Sequence, residues 1–215
     1  MTGTPDLIRQ LTAEAEAVRR LRPPLVRAGL WVIIGAVILT AVATAIGLRP
    51  DLGLKLRDPV FVIEIASAAL TGITAAIAAF HVSIPDRSAR WALLPLPTLL
   101  VWLSTVGYGC LTNWVALGPG GTVPGLSIPC LETIALGSTP LAVILYFMLR
   151  HARFVRPLAT ASVAAVAVAG LTVSALRLFH ELDATVMVLI WNVGAGAVMT
   201  LVGAMFGRRG FLLPR

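Results

Sequence analysis

Two cysteines, Cys110 and Cys130, are the side chains best suited to redox or metal chemistry in this sequence. A thiol pair can form a disulfide when its Cα atoms lie about 4.4–6.8 Å apart, and thiolates are soft ligands for thiophilic metals. Lone cysteines are also common as small apolar core residues. Both interpretations are kept, because the residue types alone do not separate them.

A second group of polar residues is predicted to lie near the outer face of the protein. These residues are Glu64, Glu132, Arg177, His180, Glu181 and Asp183. Of them, His180 and Asp183 could join Cys110 and Cys130 as weak candidate metal ligands. Their spacing matches no established zinc motif, so the metal is unknown. Ion pairs and a helix cap are the commoner outcome for such residues.

Sequence patterns of catalytic sites are absent from this chain. It has no His-Glu-x-x-His, no Cys-x-x-Cys, no phosphate-binding glycine loop and no plausible pair of nucleophile and base. We therefore predict that the protein is not an enzyme and has no catalytic residues and no cofactor.

The residues around these groups are typical of a membrane protein. Of the 215 residues, 58% are hydrophobic and 13% are charged, whereas soluble domains average about 25% charged residues. The mean hydropathy of +0.90 exceeds what a buried core explains, because a soluble domain of this size needs a large polar surface.

We predict an all-α fold, a polytopic membrane protein with six transmembrane helices, because about 20 apolar residues cross a bilayer. The predicted spans are residues 28–48, 60–80, 91–111, 131–149, 157–177 and 184–206. Pro95 and Pro97 should bend the third span or place its start later, and Gly137 with Pro140 suggests a kink in the fourth.

Basic residues are distributed unevenly between the two sides of this arrangement. With the N-terminus inside, only four of the 17 basic residues lie outside, namely Arg49, Lys55, Arg57 and Arg177. Because cytoplasmic loops carry an excess of basic residues, both termini are predicted to be cytoplasmic and both cysteines to lie at the outer face. The net charge of +7 then fits an inner flank that faces anionic lipid, rather than a nucleic-acid-binding surface.

Three domains follow from this topology. They are a cytosolic N-terminal segment (1–27), a six-helix transmembrane domain (28–206) and a cytosolic C-terminal tail (207–215).

The cytosolic N-terminal segment contains a short predicted amphipathic helix. Thr4, Pro5 and Asp6 are typical of a helix start, and Pro23-Pro24 ends the segment. Apolar residues recur between them at helical spacing: Leu7, Ile8, Leu11, Ala15, Val18 and Leu21. A helix this short is marginal in water. Its apolar stripe should therefore lie on the bilayer or the helix bundle, or in the groove of a cytosolic partner.

The predicted midplane of the membrane domain holds no ionisable residue. Pumps and ion transporters usually bury such groups at that depth. The absence of such groups favours a protein that passes a signal across the membrane. A small membrane transporter or channel is the alternative interpretation.

A set of short stretches extends over nearly the whole chain. They are Asp6-Leu-Ile-Arg9, Val18-Arg-Arg-Leu21-Arg-Pro-Pro24, Gly47-Leu-Arg-Pro-Asp51, Leu103-x-x-x-Gly107-Tyr-Gly-Cys110, Cys130, Leu176-Arg-Leu-Phe-His180-x-x-Asp183 and Met187-Val-Leu-Ile-Trp191. None is a catalytic signature, but in order and spacing the set resembles the NrsF-type family of integral-membrane anti-sigma factors. Members of that family negatively regulate extracytoplasmic-function sigma factors.

The resemblance implies a bacterial inner-membrane protein whose N-terminal segment holds a sigma factor. The implied contact residues are Leu7, Ile8, Leu11, Val18 and Leu21 for the apolar part, with Arg19, Arg20 and Arg22 for the polar part or a lipid anchor. Cys110 and Cys130 would sense oxidants or heavy metals from the periplasm. The implied partners are an extracytoplasmic-function sigma factor and the lipid bilayer, with no direct contact to nucleic acid; a homo-oligomer is left open.

Overall fold

The computed structural model describes residues 3–13, 22–117, 128–150 and 156–179. These residues form helices and no strand. The helices are α1 (Thr4–Ala13), α2 (Pro24–Ile46), α3 (Leu52–Lys55), α4 (Pro59–Val82), a 3-10 helix (Ala89–Leu93), α5 (Leu96–Leu117), α6 (Ile128–Leu149) and α7 (Pro157–Phe179). The all-α prediction is confirmed for the described part of the chain.

Four helical stretches in the described residues are long and apolar enough to cross a membrane. They are Pro24–Ile46, Pro59–Val82, Ala89–Gly109 and Pro157–Phe179. These stretches correspond to the first, second, third and fifth predicted spans. Helix α6 corresponds to the fourth, and its apolar stretch is the shorter Ile134–Leu149. The sixth predicted span, 184–206, lies outside the described residues.

Proline and short polar side chains set the helix starts. Pro24 and Pro59 occupy the first turns of α2 and α4, where a proline removes no hydrogen bond that the helix would make. The Asp58 side chain caps α4 by accepting a hydrogen bond of 2.9 Å from the Val60 N–H. The chain leaves α2 at Gly47, whose φ of +96° lies in the region that favours glycine.

The start of α5 agrees with the effect predicted for its prolines. A 3-10 helix begins after Ser88, whose side chain accepts a hydrogen bond from the Arg90 N–H. The α-helix itself begins at Leu96, between Pro95 and Pro97. The later start follows because proline is tolerated in the first turn of a helix but not in its interior.

Helices α4 and α7 form the centre of the bundle and approach each other closely. A Cβ atom placed on Gly170 would lie 2.6 Å from the Gly72 backbone nitrogen and 2.7 Å from the Ala68 carbonyl oxygen. Ala76 and Ala167 are also fully buried. Small side chains allow such close contact between helix backbones in a membrane.

The other helices pack around this central pair. Helix α2 packs against α4, α6 and α7, α5 packs against α4, and α6 packs against α7 and α2. The start of α2 meets the ends of α4 and α6, and the segment after α2 meets the end of α7. We call the end of the bundle at which α2 and α7 begin the tail end, because α1 precedes α2. The opposite end is called the far end.

Candidate functional site

The predicted partner-binding segment begins with helix α1. Leu7, Ile8 and Leu11 lie in this helix, and Ile8 is 55% exposed. Within the described residues, α1 makes no extensive contact with the bundle. The other predicted contact residues, Val18, Arg19, Arg20 and Leu21, with the apolar Ala15, lie outside the described residues. This helix thus has a large apolar side chain exposed and no extensive contact with the described part of the bundle.

The predicted sensing thiols lie on two helices with different neighbours. Cys110 is in α5, seven residues before its last residue, Leu117, and Cys130 is the third residue of α6. Two helices joined by one loop are commonly neighbours in a bundle. In the part of the chain that the structure describes, α5 instead packs mainly on α4, and α6 on α7 and α2.

The remaining candidate metal ligands, His180 and Asp183, lie outside the described residues. Among the described residues, no group of three or more His, Cys, Asp or Glu side chains is placed to hold a metal ion. The predicted metal site is therefore not tested by the described part of the chain.

A buried charged cluster lies at the far end of the central helix pair. Arg177 Nη2 of α7 donates a hydrogen bond to Glu64 Oε2 of α4 over 2.5 Å, and the two side chains are only 9% and 5% exposed. The Phe61 ring lies near two cations, with its centroid 5.6 Å from the Arg177 guanidinium carbon and 5.7 Å from that of Arg49. The ion pair expected for such residues is thus present, and it joins α4 to α7.

Arg49 ties the α2–α4 connection into the same cluster. Its backbone N–H donates to the Leu178 carbonyl near the end of α7 over 3.2 Å. Its guanidinium donates two hydrogen bonds to the Asp51 carboxylate, of 2.6 and 2.8 Å. These bonds hold the pKa of the Asp51 carboxyl below its usual value, because they stabilise the ionised form.

A second buried cation lies at the tail end of the bundle. The Arg27 side chain of α2 donates a hydrogen bond to the Met148 carbonyl in the last turn of α6. Its guanidinium carbon lies 4.8 Å from the centroid of the Phe80 ring in α4. One turn further along α2, Trp31 Nε1 donates to the Leu141 carbonyl of α6 over 3.1 Å. Two side-chain donors of α2 therefore bind backbone oxygens of α6.

The sequence interpretation missed the role of Arg27. The predicted first span began at residue 28, because a charge normally marks the end of an apolar stretch. Helix α2 instead begins at Pro24, and Arg27 is only 7% exposed. Pro24 was the available signal, since a proline in the first helical turn already places Arg27 inside the helix.

Comparison with known proteins identifies the family. A family model described as NrsF, negative regulator of sigma F, matches residues 11–212. The matched range contains both cysteines, the Glu64–Arg177 ion pair and the Arg27 contact, and it begins inside α1 at Leu11. No curated protein and no solved structure gives a significant match. Because the family model covers nearly the whole sequence, the chain belongs to the NrsF family of negative regulators of sigma F.

Proposed function

We propose that this membrane protein is an anti-sigma factor that holds an extracytoplasmic-function sigma factor through its N-terminal segment. Membership of the NrsF family makes it a negative regulator of a sigma factor. The observation that supports the N-terminal segment as the contact is the exposure of Ile8 on α1, a helix without extensive contact to the described part of the bundle. Such a helix can place its apolar side chains in the groove of a partner.

The proposed topology places this helix in the cytoplasm, where sigma factors are found. Six transmembrane helices with both termini in the cytoplasm, in a bacterial inner membrane, agree with the uneven distribution of basic residues. The four apolar stretches of the described residues support a membrane domain. A sigma factor bound to the N-terminal segment would be kept at the membrane, away from RNA polymerase.

The binding proposal is tested with the full-length protein in lipid nanodiscs and a purified extracytoplasmic-function sigma factor. We expect Ile8→Asp to lower the amount of captured sigma factor strongly, because it places a charge in the apolar contact. Ala13→Asp is the matched control, since it adds the same charge on the opposite side of the same helix. Equal capture by both variants would show that the apolar stripe of α1 is not the contact.

The proposed signal is an oxidant or a thiophilic metal that acts on Cys110 and Cys130 from the periplasm. A shift from nearly all bound to nearly all free requires about 5.5 kcal/mol of differential free energy. A disulfide that closes a loop of about 20 residues supplies about 3 kcal/mol. The thiol reaction would therefore share the work with other equilibria of the sigma factor.

The thiol proposal is tested in cells by replacing both cysteines with serine. We expect Cys110→Ser with Cys130→Ser to keep sigma-factor activity low in unstressed cells and to abolish its rise after exposure to an oxidant or a heavy metal. The low activity without stress is the internal control for folding and binding. A rise equal to that of the unmodified protein would exclude the thiols as sensors.

A further inference from the structure

Helix α6 ends on a carbonyl group that a neighbouring helix satisfies. Its last residue is Leu149, so the Met148 carbonyl is one of the final carbonyls that receive no hydrogen bond from within the helix. The Arg27 guanidinium of α2 donates to it. A cation at this position also interacts favourably with the negative end of the helix dipole.

The Arg27 side chain contacts three helices at once. It extends from α2, binds the end of α6 and lies over the Phe80 ring of α4. Its Nη1 is buried and has no hydrogen-bond partner among the described residues. A buried cation with an unused donor is weak evidence for stability alone and fits a role in selecting one helix arrangement.

Helices α2 and α6 are joined by a kind of contact different from the one that joins α4 and α7. Side chains of Arg27 and Trp31 bind carbonyls of α6, whereas α4 and α7 are in direct backbone contact at Gly72 and Gly170. The α2–α6 contact thus includes hydrogen bonds from side chains to backbone, whereas the backbones of α4 and α7 touch directly.

The two ends of α6 connect the regions used in the proposed function. Cys130 is in its first turn and Met148 in its last, which places the two residues about 27 Å apart along one helix. Arg27 follows Pro24, the first residue of α2, by three residues. The Arg27 contact therefore joins the end of α6 to the point at which the N-terminal segment enters the bundle.

We propose that Arg27 is a positioning residue that couples α6 to the N-terminal segment, so that a shift of α6 changes how the sigma-factor contact is presented. This inference rests on the proposed function and adds its route of regulation. In the resting arrangement Arg27 holds the start of α2 on the end of α6. Loss of that contact frees the start of α2 and weakens capture of the sigma factor.

The structural part is tested without any partner, by distance measurements between two spin labels. The labels are attached through Leu25→Cys in α2 and Leu158→Cys in α7, two exposed positions at the tail end, with Cys110→Ser and Cys130→Ser in the background. In the full-length protein in nanodiscs, we expect Arg27→Met to shift the main distance by about half a helical turn, or 2.7 Å.

Two further variants make this measurement specific. Arg27→Lys keeps the charge and a donor, so its distance should lie closer to that of the unmodified protein. Arg150 directly follows α6, and its guanidinium lies over the Phe147 ring of that same helix. We therefore expect Arg150→Gln to leave the distance between the labels unchanged. Arg27→Met should fold, because Arg27 binds a carbonyl and a ring rather than a carboxylate, so the substitution leaves no buried charge unpaired.

Capture of the purified sigma factor by the same proteins tests the coupling. We expect Arg27→Met to weaken capture between about fivefold and 150-fold, the usual size of an allosteric effect, and Arg150→Gln to leave it unchanged. Unchanged distances in Arg27→Met would overturn the inference, and so would changed distances with unchanged capture. If the unmodified protein captures no sigma factor, the proposed function fails, while the distances still decide whether Arg27 holds α2 on α6.

Discussion

Arg177 and Glu64 are 113 residues apart in the sequence, yet Nη2 of the arginine lies 2.5 Å from Oε2 of the glutamate. Both side chains are almost fully buried. One helical turn before the pair, Ala68 of α4 and Val173 of α7 belong to one buried apolar cluster. The charged contact therefore continues the close packing of the central helices toward the far end of the bundle.

The two partners of this ion pair should differ in their sensitivity to substitution. Arg177→Met leaves the Glu64 carboxylate buried without this partner, and we expect it to lower stability by about 3–5 kcal/mol. Glu64→Gln should cost less, because the amide oxygen can still accept from Arg177. The melting temperature in detergent is the measurement. The control is Glu132→Gln, which changes an exposed carboxylate of α6; equal effects of all three variants would contradict the buried pair.

The close approach of α4 and α7 predicts a strong effect of one methyl group. In Gly170→Ala the new Cβ would lie 2.6 Å from the Gly72 nitrogen. Because backbone atoms cannot turn away as a flexible side chain can, the helices must separate. We expect a loss of about 1–3 kcal/mol, measured as the change in melting temperature.

Gly107→Ala is the matched control for this substitution. A Cβ on Gly107 of α5 meets no atom within 4 Å. Alanine has the higher helix propensity, so this variant should be neutral or slightly more stable. A similar loss of stability in both variants would mean that the contact between α4 and α7 is not as close as described.

The helices themselves were largely predictable from the sequence. The spans predicted at 60–80 and 157–177 correspond to Pro59–Val82 and Pro157–Phe179, because proline and polar residues mark both starts. Pro95 and Pro97 also predicted the late start of α5. These signals are local, since they depend on which residues tolerate the first turn of a helix.

The contacts between helices were not predictable in the same way. Arg27 was assigned to the cytosolic segment, and α3 was not predicted at all. Arg27 is buried because the end of α6 offers it a carbonyl, and that depends on which helices pack together. The neighbours of α5 and α6 likewise depend on packing, so the shared loop did not reveal them.

The pairing of Arg49 with Asp51 predicts a pH-dependent contribution to stability. The hydrogen bonds from Arg49 lower the pKa of the Asp51 carboxyl in the folded protein. The contribution is therefore complete above the pKa of the unfolded chain, and it is lost as the pH falls through the lowered pKa of the folded state. Asp51→Asn should remove it.

Thermal melting of both proteins across the acidic range measures this effect. The unmodified protein should be more stable than Asp51→Asn near neutral pH, and the difference should vanish at the acidic end. Asp86→Asn controls for the loss of an exposed carboxylate. A difference that is the same at every pH would show that Asp51 acts through something other than its charge.

The hydrogen bond that caps α4 predicts a loss of stability when Asp58 is replaced by a residue that cannot accept it. Its side chain accepts a hydrogen bond from the Val60 N–H over 2.9 Å, which satisfies one of the donors left free at a helix start. Asp58→Ala should therefore cost about 1 kcal/mol in the free energy of unfolding, whereas Asp58→Asn should retain most of it because asparagine caps helices equally well. Unfolding in denaturant measures both. The pair separates capping from charge, since the two variants lose the same charge and differ only in the oxygen that accepts the hydrogen bond.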